Sequence, residues 1–314
     1  MPNMVFAADL GGTNLRVAAV TEDGTVLHTE RTPTPTSRKR DDIVAAIESA
    51  ARKCLDNVKA DSKPMAFGVA VPAIISLSDG TIFNAPNLPD LNGLNLEAVL
   101  SSRMGLPVRL ENDANAAAVG EHWLGASRGF ETSICITLGT GVGGGLIIGG
   151  KLFRGIDGTA GEIGHITVEP EGHPCGCGSL GCLEQYASAT AIMRLAKGAA
   201  RDFPDSPIAR SPDFSAKDVF EAGKDGDALS LAIFKTFGTY LGIALAGLIN
   251  VLNPEVIVVG GGAAAGWDLY IKYVNEQIIQ RAFRVPGERA KIVRAALGED
   301  AGIMGSAKLA FESA

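Results

Sequence analysis

Long runs of charge of one sign are missing from this sequence. Its 28 lysines and arginines are outnumbered by 35 aspartates and glutamates, which leaves a net charge of −7. Proteins that bind nucleic acid need a basic face for the phosphates, so the charge balance predicts no nucleic-acid partner. An anionic small molecule can still bind, because backbone N–H groups hold anions without basic side chains.

Membrane spans, export signals and disulfide frameworks are also missing. The most apolar stretch, TYLGIALAGLINVL, is only about fourteen residues long and ends at Asn253-Pro254, whereas a bilayer needs about twenty. It predicts a buried helix. The N-terminus lacks the basic region of a signal peptide, and five cysteines are too few for a disulfide scaffold. We expect a soluble, cytoplasmic protein with no membrane partner.

Glycine, in contrast, is abundant and clustered. Many of the 39 glycines fall at 11–12, 139–150 and 260–262, and clustered glycines let a backbone approach a ligand closely. The first two clusters follow similar strands, because VFAADLGGT near the N-terminus and ICITLGTGVGGG after residue 133 each indicate a strand that enters a glycine turn. This repetition predicts an internal duplication, with two similar α/β halves around a cleft.

These glycine turns suit a phosphorylated ligand. The DLGGT turn offers backbone N–H groups of the kind that form anion-binding concavities, and its carboxylate can hold a divalent metal through water. GTGVGGG as a whole is predicted to be a turn between two strands and is the second phosphate candidate, and GGG at 260–262 offers a flat surface for a nucleotide base. The single-loop fingerprint G-x-x-x-x-G-K-[ST] is missing, and a plain hairpin turn is the competing interpretation of DLGGT. The candidate residues are Asp9, Gly11, Gly12, Thr13, Gly139, Thr140, Gly141, Gly260, Gly261 and Gly262.

A carboxylate stands where a strand gives way to an alanine-rich helix, in the segment Glu111-Asn112-Asp113. Catalytic residues of α/β proteins often lie at such junctions. Asp113 has two interpretations: it is the N-cap of the helix, or it is the base that accepts the proton of a hydroxyl attacking a γ-phosphate. The adjacent Asn112 and the small residues that follow favour the base.

Three cysteines lie within eight positions, at Cys175, Cys177 and Cys182. With one histidine they complete a Cys₃His set, which is a closed tetrahedral arrangement typical of structural zinc. His165 and His173 are both possible fourth ligands by spacing. A redox site is the less favoured alternative, since the spacing departs from C-x-x-C. Glu162, His165 and Glu184 bracket the cluster and suit sugar hydroxyls, although solvated glutamates are the plainer interpretation.

The motifs together resemble a known family. GTAGEIGH followed by GHPCGCGSLGCLEQY is similar to the signature of the ROK family (repressors, open reading frames and sugar kinases), and DLGGTNLR, ENDANAAAVGE, LGTGVGGG and VIVVGGG resemble the phosphate, connecting and adenosine motifs of the actin/hexokinase superfamily. The resemblance covers essentially the whole chain. It implies an α/β, two-domain actin/hexokinase-like (ribonuclease H-like) fold. Residues 1–112 plus about 302–314 would form the smaller domain, and residues 113–301 the larger domain with the zinc loop.

The resemblance also implies an activity and roles. The chain would transfer the γ-phosphate of ATP to the 6-hydroxyl of glucose, with Mg²⁺ as cofactor, a structural Zn²⁺, and a homodimer or homotetramer as the assembly. Asp113 would be the base, and the glycine turns would bind the phosphates, Mg²⁺ and adenosine. His165 would be the fourth zinc ligand and would bind sugar through its other ring nitrogen. The implied sugar-binding residues are Asn87, Asn112, Asp113, Glu162, His165 and Glu184.

Alternatives within and outside this activity remain open from sequence. Another hexose, such as fructose, mannose or an N-acetylhexosamine, is the first alternative. A sugar-sensing transcription regulator is the second, and it is disfavoured because only eight residues precede Asp9, too few for a helix-turn-helix. Three positions depart from the family pattern: Arg16 replaces a common Lys, Ala73 a common Gly, and Leu91 a frequent Trp. The last two concern sugar preference.

Overall fold

A computed structural model describes residues 3–58 and 63–314 of the chain. The strands are β1 (Met4–Leu10), β2 (Asn14–Thr21), β3 (Val26–Pro33), β4 (Phe67–Val71), β5 (Ile74–Ile75), β6 (Ile82–Asn84), β7 (Val108–Asn112), β8 (Ser133–Leu138), β9 (Val142–Ile148), β10 (Lys151–Phe153), β11 (Val256–Gly260) and β12 (Lys291–Arg294). The helices are α1 (Arg40–Asn57), α2 (Leu96–Met104), α3 (Asp113–Trp123), α4 (Ala189–Ala199), α5 (Pro207–Arg210), α6 (Ala216–Lys224), α7 (Ala228–Leu252), α8 (Trp267–Arg281), α9 (Arg284–Arg289) and α10 (Ala301–Ser313).

Two five-stranded sheets share one strand order. The first sheet runs β3-β2-β1-β4-β7 and the second β10-β9-β8-β11-β12. In each sheet, three strands that are consecutive in sequence lie side by side, and the first of them is the central strand. Two strands from later in the sequence lie on its other side. In the first sheet β1, β2 and β3 pair antiparallel, whereas β1, β4 and β7 pair parallel. The repeated order confirms the predicted duplication of two α/β halves.

The chain forms two compact units. The first comprises Met1–Cys135, Gly145–Gly161 and Ala295–Ala314, and the second comprises Ile136–Gly144 and Glu162–Arg294. The division predicted from sequence, at about 112 and 302, stays a prediction.

Backbone-to-backbone packing holds α3 in the first unit. A Cβ added to Gly305 of α10 would lie 1.7 Å from the carbonyl oxygen of Ala116, and one added to Gly120 would lie 2.2 Å from the carbonyl oxygen of Ala301. Only glycine permits such an approach of two helices. Asp113 is the first residue of α3, so this packing also sets the position of the candidate base.

A fully buried carboxylate, that of Glu121, lies near the C-terminal end of α3. Glu121 is 0% exposed, and its oxygens accept hydrogen bonds from the backbone N–H groups of Ala126 (2.7 Å), Ala296 (3.1 Å) and Leu297 (2.8 Å). A buried charge is tolerated when hydrogen bonds satisfy it. Glu121 therefore fixes the segment that leads into α10 against α3.

One glycine-rich segment differs from its prediction. The GTGVGGG stretch is not a seven-residue turn, because β9 begins at Val142 and includes Gly143, Gly144 and Gly145. A Cβ on Gly145 would lie 2.5 Å from the Cβ of Ala118 in α3. Gly145 thus permits the close packing of β9 on α3, and the turn itself is limited to residues 139–141.

The second unit is built around α7. Twelve of its 25 residues are buried, and it packs against α4, α6 and α8. Within the described part of the chain, α7 is the one helix long and apolar enough to cross a membrane by length and composition, and 56% of its most apolar window is buried. Core helices of globular domains pass the same test. The stretch predicted as a buried helix is the C-terminal half of α7.

Candidate active site

The first glycine turn joins β1 to β2. The N–H of Gly11 donates to the carbonyl of Asn14 (2.8 Å). Thr34, just after β3, donates its hydroxyl to the carbonyl of Gly11 (2.7 Å) and its N–H to the carbonyl of Thr13 (2.9 Å). Thr34 is buried and so braces the turn from one side. A Cβ on Gly12 would lie 3.6 Å from the Cβ of Asn87. The exposed Asn87 therefore lies beside this turn.

Asp9, at the end of β1, is paired with Arg16 of β2. Arg16 Nη2 lies 2.6 Å from Asp9 Oδ2, and its Nη1 lies 3.3 Å from Asp300 Oδ1. Arg16 is 9% exposed and also donates to the carbonyl of Glu299. A lysine ammonium is a point charge, whereas the planar guanidinium of Arg16 reaches several acceptors in a fixed geometry. This departure from the family pattern thus anchors Asp9 to the start of α10.

At the junction of β7 and α3, Asn112 and Asp113 lie side by side, and Asp113 Oδ1 accepts a hydrogen bond from the N–H of Ala114 (2.9 Å). Asn112 is the N-cap of α3, and its side-chain oxygen accepts from the N–H of Ala114 (2.9 Å) and Asn115 (3.1 Å). Its Nδ2 donates to the carbonyl of Ala73 (3.3 Å). Asp113 occupies the first helical position, so it is not the N-cap. Negative charge is favoured at this end of a helix.

Sequence reasoning missed an ion pair between a buried glutamate and a half-buried arginine at the same junction. Arg154, just after β10, donates from Nε to Glu111 Oε2 over 2.7 Å, and Glu111 is 6% exposed. The two residues are 43 positions apart. A charged residue at the end of a buried strand is the one signal that the sequence offers for such a partner.

In the second unit, hydrogen bonds from residues elsewhere in the same unit hold the turn at 139–141. The N–H of Gly139 donates to the carbonyl of Gly141 (2.9 Å), and the hydroxyl of Thr190 donates to the carbonyl of Thr140 (2.7 Å). Glu184 Oε2 accepts from the N–H of Val142 (3.1 Å). The structure therefore places Glu184, predicted as a sugar residue, against the turn at 139–141.

The second turn and Gly262 line one cavity of about 520 Å³ within this unit. The cavity is lined by the apolar residues Ile192, Phe220 and Phe234. The charged residues Lys217 and Glu221 also line it. A largely apolar cavity with a few polar groups is typical of small-molecule sites. Gly261 has φ of +86°, and a Cβ there would lie 2.5 Å from the carbonyl oxygen of Leu138. Of the three glycines at 260–262, Gly262 lines the cavity and Gly261 permits the turn toward it.

The predicted metal residues are brought together in the second unit. The donor atoms of His165, Cys175, Cys177 and Cys182 all lie within 4.8 Å of one another. Cys177 Sγ and Cys182 Sγ are 3.6 Å apart, as are Cys175 Sγ and His165 Nδ1. Zn–S bonds of about 2.3 Å in a tetrahedron separate the sulfurs by about 3.8 Å, so the four donors fit a zinc ion.

Histidine 173 lies apart from this cluster. The ring Nδ1 of His173 is hydrogen-bonded to the carbonyl of Pro174 (2.9 Å), and the backbone N–H of His173 donates to the hydroxyl of Tyr186 (3.0 Å). The geometry thus favours His165 as the fourth donor. The other ring nitrogen of His165, Nε2, lies 3.8 Å from Glu162 Oε2, so the two candidate sugar residues at this end of the loop are neighbours.

The five thiols differ in environment. Burial, and then the neighbouring Cys177 and Cys175 thiols, raise the pKa of the Cys182 thiol to about 12, whereas a hydrogen bond from the backbone at Ser179 lowers the pKa of the exposed Cys177 thiol. A bound metal replaces the thiol protons. Burial also raises the pKa of Cys54 to about 11 and raises that of Cys135. These last two are core residues that stay protonated.

Two α/β halves of the same strand order, each opening with a strand and a glycine turn, define the class of proteins with the actin/hexokinase-like fold. The model of the ROK family matches residues 5–313. The chain belongs to the ROK family, and the predicted fold class is confirmed.

Several relatives carry names that bear on activity. The chain is 39% identical to the glucokinase of Halalkalibacterium halodurans over 303 residues, which is 95% of this chain and 92% of the relative. It is 36% identical to the glucokinase of Thermotoga maritima over 99% of both chains. Relatives named xylose repressor also match, at 27% to 33% identity, and this chain covers 60% to 76% of their length.

Among solved structures, a ROK family glucokinase from Streptomyces griseus in complex with glucose and AMPPNP has a TM-score of 0.84. It is 36% identical, and the match covers 99% of this chain and 100% of that one.

Proposed function

We propose that this chain transfers the γ-phosphate of ATP to the 6-hydroxyl of glucose and so forms glucose 6-phosphate and ADP. The observation that carries the proposal is the full-length match to a glucokinase that was solved with glucose and AMPPNP. The two relatives named glucokinase, at 39% and 36% identity, support glucose as the phosphate acceptor. The enzyme prediction agrees with these names, whereas the relatives named xylose repressor, which bear on the regulator alternative, are less similar, at 27% to 33% identity.

Asp113 is the proposed base. Its carboxylate takes the proton of the 6-hydroxyl as that oxygen bonds to the γ-phosphorus and the bond from the γ-phosphorus to the bridging oxygen of ADP breaks. Two observations support this role: Asn112 caps α3 in its place, and the helix N-terminus favours the ionised carboxylate that can accept a proton. A positioned base contributes about 10²- to 10⁴-fold in rate.

The sugar residues are proposed unit by unit. In the first unit, Asn87 and Asn112 join Asp113. In the second unit the residues are Glu162, His165 and Glu184, of which the first two are neighbours and the third touches the phosphate turn. Carboxylate and imidazole groups pair with hydroxyls that both donate and accept.

The residues proposed to bind ATP lie in and beside the two glycine turns. Gly11, Gly12 and Thr13 in the first unit and Gly139, Thr140 and Gly141 in the second are proposed phosphate contacts, and the 520 Å³ cavity is proposed for adenosine, with Gly260, Gly261 and Gly262 at its edge. Asp9 would hold Mg²⁺ through water. Its Oδ2 is engaged by Arg16, which fits an outer contact, because Mg²⁺ keeps most of its water. When bound, Mg²⁺ neutralises the phosphate charge.

Zinc is proposed for the Cys₃His cluster as a structural ion. Because Cys182 is two residues before Glu184, and His165 is itself a ligand, the ion would fix both sugar residues in place. A cytoplasmic location and a homodimer or homotetramer stay predictions.

The test is a phosphorylation panel with the purified wild-type chain. Glucose, fructose, mannose and N-acetylglucosamine are each offered with ATP, ADP or polyphosphate, and product is measured as sugar 6-phosphate. We expect glucose with ATP to have the highest kcat/KM. A higher kcat/KM for another hexose would transfer the proposal to that sugar, and no phosphorylation of any sugar by any donor would refute it.

A further inference from the structure

Glu111, two residues before the candidate base, holds three groups at once. Its Oε2 accepts from Arg154 Nε (2.7 Å), and its Oε1 accepts from the side-chain amide of Asn115 (3.0 Å) and from the N–H of Asn112 (3.1 Å). Asn115 is 2% exposed. One buried carboxylate therefore connects the end of β7, the first turn of α3 and the chain after β10.

Arg154 also shapes the loop that follows it. Its carbonyl accepts from the N–H groups of Gly158 (3.1 Å) and Ala160 (3.2 Å). Gly158 has φ of +95°, and a Cβ there would lie 2.7 Å from the carbonyl oxygen of Ile75, so the loop is tightly placed. Along the chain this loop leads directly into Glu162, the first proposed sugar residue of the second unit.

We propose that the Glu111–Arg154 pair positions the reaction: it sets the first turn of α3, and with it Asp113, and it sets the loop 154–161. Glu111 is buried and the Arg154 side chain is 23% exposed, and desolvation offsets much of the attraction between two charges so withdrawn from water, so the pair contributes little net stability. What it does supply is a fixed geometry for the groups that share it. Neither residue reacts. The inference rests on the proposed function for its kinetic readout.

The variants are Arg154→Ala, Glu111→Gln and the two combined, with Arg210→Ala as the matched control. Arg210 forms a 2.6 Å pair with Asp205 at the surface, with side chains 65% and 98% exposed. Since misplacement by about 1 Å costs about 100-fold in rate, we expect kcat for glucose to fall about 100-fold in Arg154→Ala, with KM for ATP within about twofold of wild type. The double variant falls no further than the lower single variant, because the two changes break one interaction. Arg154→Lys restores part of the loss.

A second readout does not depend on activity. Hydrogen exchange of the folded variants should be faster in residues 112–115 and 155–161 of Arg154→Ala and unchanged there in Arg210→Ala. Unchanged exchange in both segments overturns the inference, whether or not the wild type phosphorylates glucose. If the wild type is active, a kcat within twofold in folded Arg154→Ala overturns it as well. A wild type that phosphorylates no sugar refutes the proposed function alone, and the exchange result then decides the positioning role.

Discussion

Replacing Cys182 with alanine removes one of the four donors proposed for zinc. Cys182 is fully buried, and its Sγ lies 3.6 Å from Cys177 Sγ, so alanine at this position leaves three donors in the cluster. We expect the zinc content to fall from about one ion per chain to near zero, because a structural zinc site needs all four ligands.

The size of the effect follows from binding linkage. When the free zinc concentration is about a thousand times the Kd of the site, zinc binding stabilises the folded state by about 4 kcal/mol. In a unit of about 150 residues that corresponds to about 10 °C in Tm. Since His165 and Glu184 lie in the same loop, glucose affinity should also fall, by about tenfold or more.

The assay is metal analysis of purified protein together with thermal unfolding and glucose titration, with and without a chelator. Cys54→Ala is the control, because Cys54 is a core thiol outside the cluster; its zinc content should equal that of wild type. A wild type that contains no zinc, and whose Tm does not change when zinc or chelator is added, would refute the metal assignment.

Two further predictions concern the frame around α3. Glu121→Gln should lower the free energy of unfolding by about 3 kcal/mol, because the amide group cannot accept from all three backbone N–H groups; a urea midpoint equal to that of wild type would rule this out. Gly305→Ala should lower it by about 1–3 kcal/mol, since the added Cβ meets the Ala116 carbonyl. Gly247→Ala in α7 is the control, because the added Cβ meets open space, and it should raise the free energy of unfolding by up to about 1 kcal/mol. A destabilised Gly247→Ala together with a stable Gly305→Ala would contradict the close packing of α10 on α3.

Local patterns were sufficient for the parts of the fold that depend on neighbours in sequence. The strand–turn–strand start, the strand VRLEN and the apolar helix that ends before Pro254 are all present as β1 to β3, β7 and α7. The repeated glycine turn correctly indicated two halves of one topology. The closely spaced cysteines likewise predicted a cluster, because short loops allow few arrangements.

Partners distant in sequence could not be predicted. Glu111 and Arg154 meet only because β10 and β7 belong to one compact unit, and neither residue lies in a pattern that names the other. The same holds for Glu121, which spacing places on α3 but which bonds residues 296 and 297. The turn after Leu138 was predicted too long, since glycines that serve close packing in a strand are indistinguishable by composition from glycines that serve a turn.

The role of Asp113 is tested most directly by Asp113→Asn, measured for glucose binding and for turnover in the same preparation. Asparagine keeps the size of the side chain but cannot take the proton. The proposed mechanism predicts a glucose Kd within about threefold of wild type and a kcat lower by about 10³-fold. A variant that binds glucose and turns over at the wild-type rate would contradict it.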